Sequence, residues 1–141
     1  MFKLITKTIA TVAIVSVALF GSANAKTLKI ETHFTASSPN GEVAAQFAKN
    51  VEMFSGGSLK VQMFYSSSVT GKSAEVFNSA QTGIIDCDMT GAGYQTGKNA
   101  AFQFAGDVMG GYDTPYQQYD FLKFPGAQDA VDALYNKYGM T

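Results

Sequence analysis

Arginine is absent from the 141 residues, and the ten basic residues, all lysines, are scattered. A planar, two-pronged grip on a carboxylate or phosphate is therefore not available from this chain. With a formal net charge of −1 and no basic patch, nucleic acid is excluded as a partner. Cys87 is the single cysteine, so no internal disulfide forms. Its neighbours Ile84, Ile85 and Met89 mark it as a small buried hydrophobe rather than a reactive thiol. His33 is the one histidine, and no serine sits in a G-x-S-x-G elbow, so a nucleophile, base and orienter set is missing. Gly71-Lys72-Ser73 imitates the end of a phosphate-binding loop, but Ser66 stands where the first glycine of that motif belongs. Charged residues are few, at 15%, against 46% hydrophobic. That is enough apolar material for a core and argues against disorder.

The first 25 residues differ from the rest. Lys3 and Lys7 are followed by an uncharged apolar run over residues 8–20, then by Ala23-Asn24-Ala25 before Lys26. A positive start, a short apolar stretch and small residues at the −3 and −1 positions make a secretory signal peptide. The run falls short of the roughly 20 residues a membrane-spanning helix needs. No cysteine follows the small residues, so a lipid anchor is not supported. The expected mature chain, residues 26–141, keeps eight lysines against eleven acids, a net charge of −3.

Beyond residue 26 the pattern alternates between strand and helix. Thr27 to Phe34 shows period two and predicts a strand. Ala36 to Gly41 is a loop in which Asn40 or a nearby serine can cap the next helix. That helix, from Glu42 to Ser55, carries one apolar stripe of Val43, Phe47, Val51 and Phe54 and ends at Gly56-Gly57. Ser58 to Tyr65 predicts a second strand with Leu59, Val61 and Met63 on one face. Ser73 to Thr82 predicts a helix with Val76, Phe77 and Ala80 inward. Ile84 to Thr90 predicts a third strand with Ile84, Ile85, Cys87 and Met89 buried. Ala101 to Ala105 is read as a further short strand. Helices follow over 115–123, opened by Pro115, and over 127–138, with Val131, Leu134, Tyr135 and Tyr138 on one face. The order β-α-β-α-β with short connections argues for a parallel sheet with right-handed crossovers, a mainly parallel α/β layer flanked by helices.

In such sheets ligands sit outside the carboxyl ends of the strands. Gly91-Ala92-Gly93-Tyr94 follows the third strand, and its glycines would let the backbone approach a small ligand. Phe34, Phe64, Tyr65 and Tyr94 fall at or just past strand ends, where they could line an apolar cleft with polar tips. Asp86 and Asp88, two apart on a strand, point the same way and read as the polar side of a strand end. As a pair they would also be the only candidates for acid–base or metal chemistry. No cofactor and no metal is expected.

An ordered set of segments resembles the extracytoplasmic solute-binding subunit of TRAP-type (tripartite, ATP-independent periplasmic) transporters. The set comprises Ser38-Pro39-Asn40-Gly41, Gly56-Gly57-Ser58-Leu59-Lys60-Val61, Glu75-Val76-Phe77 and Thr82 through Met89. It continues with Gly91-Ala92-Gly93-Tyr94, Gly97-Lys98-Asn99 and Val131 through Gly139, and covers essentially all of residues 26–141. The resemblance implies a periplasmic-binding-protein-like fold of type II, of which this chain supplies the first lobe, the second lobe being missing. It implies a periplasmic protein, not an enzyme, that delivers a solute to a TRAP-type membrane permease. The Gly-Ala-Gly-Tyr and Gly-Lys-Asn segments look like the branch that binds 2-oxo acids and related monocarboxylates. Tyr94, with Gly93 beside it, then corresponds to a ligand contact, and His33 and Phe34 to a loop that approaches the cleft. Members of the family run to more than twice this mature length and clamp the ligand carboxylate with an arginine from the second lobe, so a fragment or truncated product is expected. The competing readings are a binding protein of another importer class, a stand-alone interaction domain, and a small secreted enzyme using Asp86 and Asp88.

Export is the feature most directly testable from sequence. Protein recovered from the periplasm is expected to begin Lys26-Thr27-Leu28. N-terminal sequencing checks this, and an intact Met1 start would exclude cleavage after Ala25.

Overall fold

The computed structural model describes residues 25–106, 108 and 110–141. The segment read as a signal peptide lies outside them except for Ala25. Three strands form one parallel sheet, β1 (Lys26–Thr32), β2 (Leu59–Phe64) and β3 (Cys87–Met89), in the order β2-β1-β3. Lys26 pairs with Leu59 and Glu31 with Phe64 on one edge of β1, while Ile30 pairs with Cys87 and Thr32 with Met89 on the other. The crossovers carry α1 (Pro39–Phe54) and, after a 3₁₀ turn at Ser73–Glu75, α2 (Val76–Gln81). Two further 3₁₀ turns, Ala92–Gln95 and Ala100–Phe104, lead to α3 (Pro115–Leu122) and α4 (Ala127–Asn136).

Local chemistry accounts for the boundaries. Ser38 caps α1, its Oγ accepting the Gly41 amide at 3.1 Å, and Pro39 opens the first turn. Gly56 and Gly57, at φ 61° and 81°, take the left-handed conformation that ends it. Thr114 caps α3 ahead of Pro115. Phe77, Phe102 and Leu134 form the core with Ala92, and Tyr135 and Tyr138 pack against them. The Phe77 and Phe102 rings meet edge to face at 5.7 Å, and Phe102 meets Tyr135 at 5.2 Å. Gln81 Nε2 donates to the Tyr138 carbonyl at 2.6 Å and binds the end of the chain to α2.

Several expectations are corrected. The stretch read as a strand near Ala101–Ala105 is a 3₁₀ helix, because the Asn99 side chain accepts the Ala101 amide and starts a helical turn that buries Phe102. The third strand is shorter than predicted: the Ile84 and Ile85 amides both donate to Ser79 O, which holds Ile84 in the turn that closes α2 and leaves it 55% exposed. Strand β1 stops at Thr32, so His33 and Phe34 stand beyond it.

The largest correction concerns α1. Gly41 and Ala44 are buried and Ala48 and Val51 partly so, whereas Val43 and Phe54 are 69% and 79% exposed. The helix packs on its small-residue side, next to the stripe of Val43, Phe47 and Phe54. Small residues let it lie close, and Glu52 then reaches β2, where its Oε1 accepts the Val61 amide at 3.0 Å and its Oε2 faces Lys60 Nζ at 3.6 Å.

The close approach at Gly41 gives a prediction opposed to helix propensity. Alanine is favoured over glycine inside a helix by about 1 kcal/mol. A Cβ at position 41, however, would stand 2.0 Å from the Thr35 carbonyl oxygen. Gly41→Ala is therefore expected to lower the urea midpoint with an unchanged m-value. A raised midpoint would show that the 33–38 loop yields freely.

Candidate functional site

Parallel pairing brings the carboxyl ends of all three strands to one side of the sheet, and a cleft of about 850 Å³ opens there. It is lined by His33 and Phe34 after β1, Asn40 at the start of α1, Asp88 and Met89 at the end of β3, and Thr90, Gly91, Gly93 and Tyr94 beyond it. All four residues expected from sequence to contact a ligand, His33, Phe34, Gly93 and Tyr94, thus meet in one place. Phe64 and Tyr65 do not line it.

The aromatic wall has a defined geometry. The His33 and Phe34 rings lie 3.9 Å apart, and Tyr94 approaches His33 edge-on at 5.2 Å with an interplanar angle of 71°. Tyr94 remains 47% exposed, so its ring is available to a ligand. A Cβ at Gly93 would meet nothing within 4 Å. Its glycine is thus not needed for packing and leaves backbone open to the cleft.

Beneath this wall the strand ends are polar. Glu31 is fully buried, and its Oε1 accepts the amides of Val69 at 2.6 Å and Thr70 at 3.3 Å. The carboxylate thereby holds the loop after β2. In that loop Ser66 and Ser67 both sit at positive φ, 57° and 50°, and their amides donate to the carbonyls of Phe34 and Thr32. Two consecutive left-handed serines carry strain that these bonds offset. Among the described residues, Glu31 Oε2, His33 Nδ1, Asp88 Oδ1 and Thr90 Oγ1 are buried without a geometrically defined hydrogen bond.

Burial pushes the Asp88 carboxyl above its ordinary value of 3.8. The nearby Thr90 hydroxyl and amide and the His33 ring pull it back, while Glu31 adds to the rise. Asp86 behaves differently: its amide donates to Lys29 O and its Oδ2 accepts the Lys29 amide, both at 2.8 Å, so it extends the pairing to β1. The Cys87 thiol is pushed up by burial, reinforced by Asp86 and opposed by Lys26, which suits a thiol kept protonated.

Sequence patterning missed Glu31, Asn40 and Thr90 as neighbours of the site and weighed Asp88 only as one of a pair. Period-two alternation hints at Glu31, which lies on the face opposite Ile30. Nothing local marks that face as buried.

The profile of the bacterial extracellular solute-binding proteins, family 7, matches residues 30–109. No curated protein matches. Among solved structures, a TRAP periplasmic solute-binding protein from Rhodobacter sphaeroides, in an apo open form, superposes with a TM-score of 0.74 at 25% identity, over 80% of this chain and 36% of that one. A TRAP transporter solute-binding protein from Bordetella bronchiseptica RB50 superposes at 0.73 and 20% identity, over 81% and 34%. That protein is a mixed-occupancy dimer in which copurified calcium and picolinate occupy one active site and the other is apo. The chain thus spans about a third of the length of these two structures, and it shares their α/β fold. The matched family is one of solute-binding proteins and not of enzymes.

The raised Asp88 value has a definite stability consequence. A carboxyl held above 3.8 in the folded state disfavours folding once ionised; this cost is absent at low pH and grows as pH rises through the folded value. Asp88→Asn is expected to stabilise the protein at neutral pH, and the gain should shrink below the ordinary carboxylate range. Urea unfolding at both pH values checks this, and a gain independent of pH would exclude the carboxylate as its source.

Proposed function

Because this chain belongs to the bacterial extracellular solute-binding proteins of family 7, we propose that it captures a small organic acid in the periplasm for a TRAP-type membrane permease. The acid is a 2-oxo acid or another monocarboxylate. The observation that carries this reading is the cleft at the strand ends, where the rings of His33, Phe34 and Tyr94 share the lining with the polar residues Asn40, Asp88 and Thr90. An apolar wall with a few convergent polar groups suits a small ligand of mixed character. Tyr94 and Gly93 supply ring contact and open backbone, and His33 and Phe34 continue the same aromatic wall.

Among the described residues no lysine lines the cleft, and the chain has no arginine. A carboxylate taken out of water without a partner is costly. The reading therefore includes a second lobe that supplies the countercharge and closes over the ligand by hinge motion.

Both halves of the proposal are testable on residues 26–141. Titration with pyruvate is expected to give a Kd no tighter than about 1 mM, near −4 kcal/mol; micromolar binding would show that one lobe suffices. Tyr94→Ala should weaken this binding about tenfold, roughly 1.4 kcal/mol. Its unfolding free energy should change by less than about 0.5 kcal/mol, because the ring is largely exposed. Unchanged affinity in that variant would remove Tyr94 from the site.

A further inference from the structure

Asn40-Gly41 is the one Asn-Gly pair in the sequence. Asparagine before glycine is the least durable setting for a side-chain amide, because the glycine nitrogen has no side chain beside it to shield the neighbouring carbonyl from attack. Asn40 is exposed and lines the cleft, and it also lines the apolar groove that Phe34, Val43, Phe47 and Met89 form next to it. Gly41 is buried.

Two contacts restrain the Gly41 amide. Its N–H donates to Ser38 Oγ at 3.1 Å, so the proton that must leave before the nitrogen can attack is already engaged. Gly41 also lies against the Thr35 carbonyl, whose oxygen a Cβ at position 41 would approach to 2.0 Å, and Ser38 Oγ donates to that same carbonyl at 2.7 Å. Both residues of the pair belong to the first turn of α1. Helical ψ, about −42°, holds the next amide nitrogen away from the side-chain carbon, so attack requires this turn to open.

We propose that Asn40 is a deamidation site within the cleft, which the Ser38 cap holds shut. When the turn opens, the Gly41 nitrogen gives its proton to water and bonds to Asn40 Cγ. The Cγ–Nδ2 bond breaks and ammonia leaves. Water then opens the resulting cyclic imide on either side of the Gly41 nitrogen. Cleavage at Cγ leaves aspartate on the normal backbone. Cleavage at the original peptide carbon leaves isoaspartate, with the chain running through the side chain. Either product adds a negative charge to the cleft lining, whatever the ligand. Aspartate suits a helix N-terminus, whereas isoaspartate inserts a backbone atom into the first turn and upsets its hydrogen-bond spacing.

The test incubates the protein recovered from the periplasm beside a synthetic peptide of residues 36–45 at mildly alkaline pH. Peptide mass spectrometry follows amide-to-acid conversion at Asn40, and enzymatic methylation scores isoaspartate. The peptide is expected to convert, and the folded protein to convert about tenfold more slowly or less, because it waits on local opening. Urea should bring the protein's rate up to that of the peptide across the unfolding transition. Ser38→Ala should raise the folded rate about fivefold, the usual weight of a lost cap, and Ser38→Thr, which keeps a hydroxyl, should stay near the wild-type rate. A peptide that keeps its Asn40 amide would overturn the site. Equal rates in folded protein and peptide would overturn its protection by the fold, and a folded Ser38→Ala protein no faster than wild type would overturn the role of the cap. The comparison of wild-type protein with peptide needs no variant, so a substitution that prevents folding leaves it intact.

Discussion

Everything in this fold depends on β1 being paired in parallel along both edges. The strand runs between β2 and β3, and it alone makes residues far apart in sequence share one end of the sheet. Parallel strands need crossovers, and the crossovers here are α1 and α2, which cover the sheet and return the chain to the same starting side. Each strand therefore delivers its last residues to the same place. His33 and Tyr94 come within 5.2 Å because the segments that carry them leave adjacent strands in the same direction.

A central strand that delivers ligand-facing residues must also bury polar groups near its end, and this chain does so with uneven satisfaction. Glu31 is fully buried but uses one oxygen to hold the Val69 and Thr70 amides, which fixes the strained serine loop behind the cleft. Asp88 leaves Oδ1 unpaired, and although the Thr90 hydroxyl and amide act on its carboxylate, burial outweighs them and its carboxyl is raised. The contrast separates two roles for the same functional group. One carboxylate holds a loop through one of its oxygens, and the other lines the cleft.

The parts of the fold legible from sequence were those written in short-range chemistry. Ser38 with Pro39, Gly56-Gly57 and Thr114-Pro115 mark helix ends because the capping bond or the left-handed glycine is local. The inward faces of α2 and α4 were legible because Phe77 and Leu134 have no competing apolar stripe beside them. On α1 two stripes run side by side, one of Val43, Phe47 and Phe54 and one of Gly41, Ala44 and Ala48. Hydrophobicity favours the first, but the second is the one that packs, with Gly41 held close against the Thr35 carbonyl. Ile84 was misplaced for a related reason: two bonds to Ser79 O, invisible to periodicity, keep it in a turn.

The sequence by itself determined the β-α-β-α-β order of the first elements and the parallel α/β class, and a family resemblance pointed to His33, Phe34, Gly93 and Tyr94 as candidate contacts. Periodicity, caps and turns act within a few residues of themselves. Only the tertiary structure decided which face of α1 packs, how far β3 extends, and that a buried Glu31 and a half-buried Asp88 sit side by side in the β1–β3 register with different partners. Those outcomes depend on distances between segments up to 57 residues apart, as in the Lys29–Asp86 pair. No local pattern encodes such distances, because they are set by how helices and strands pack once the sheet has formed.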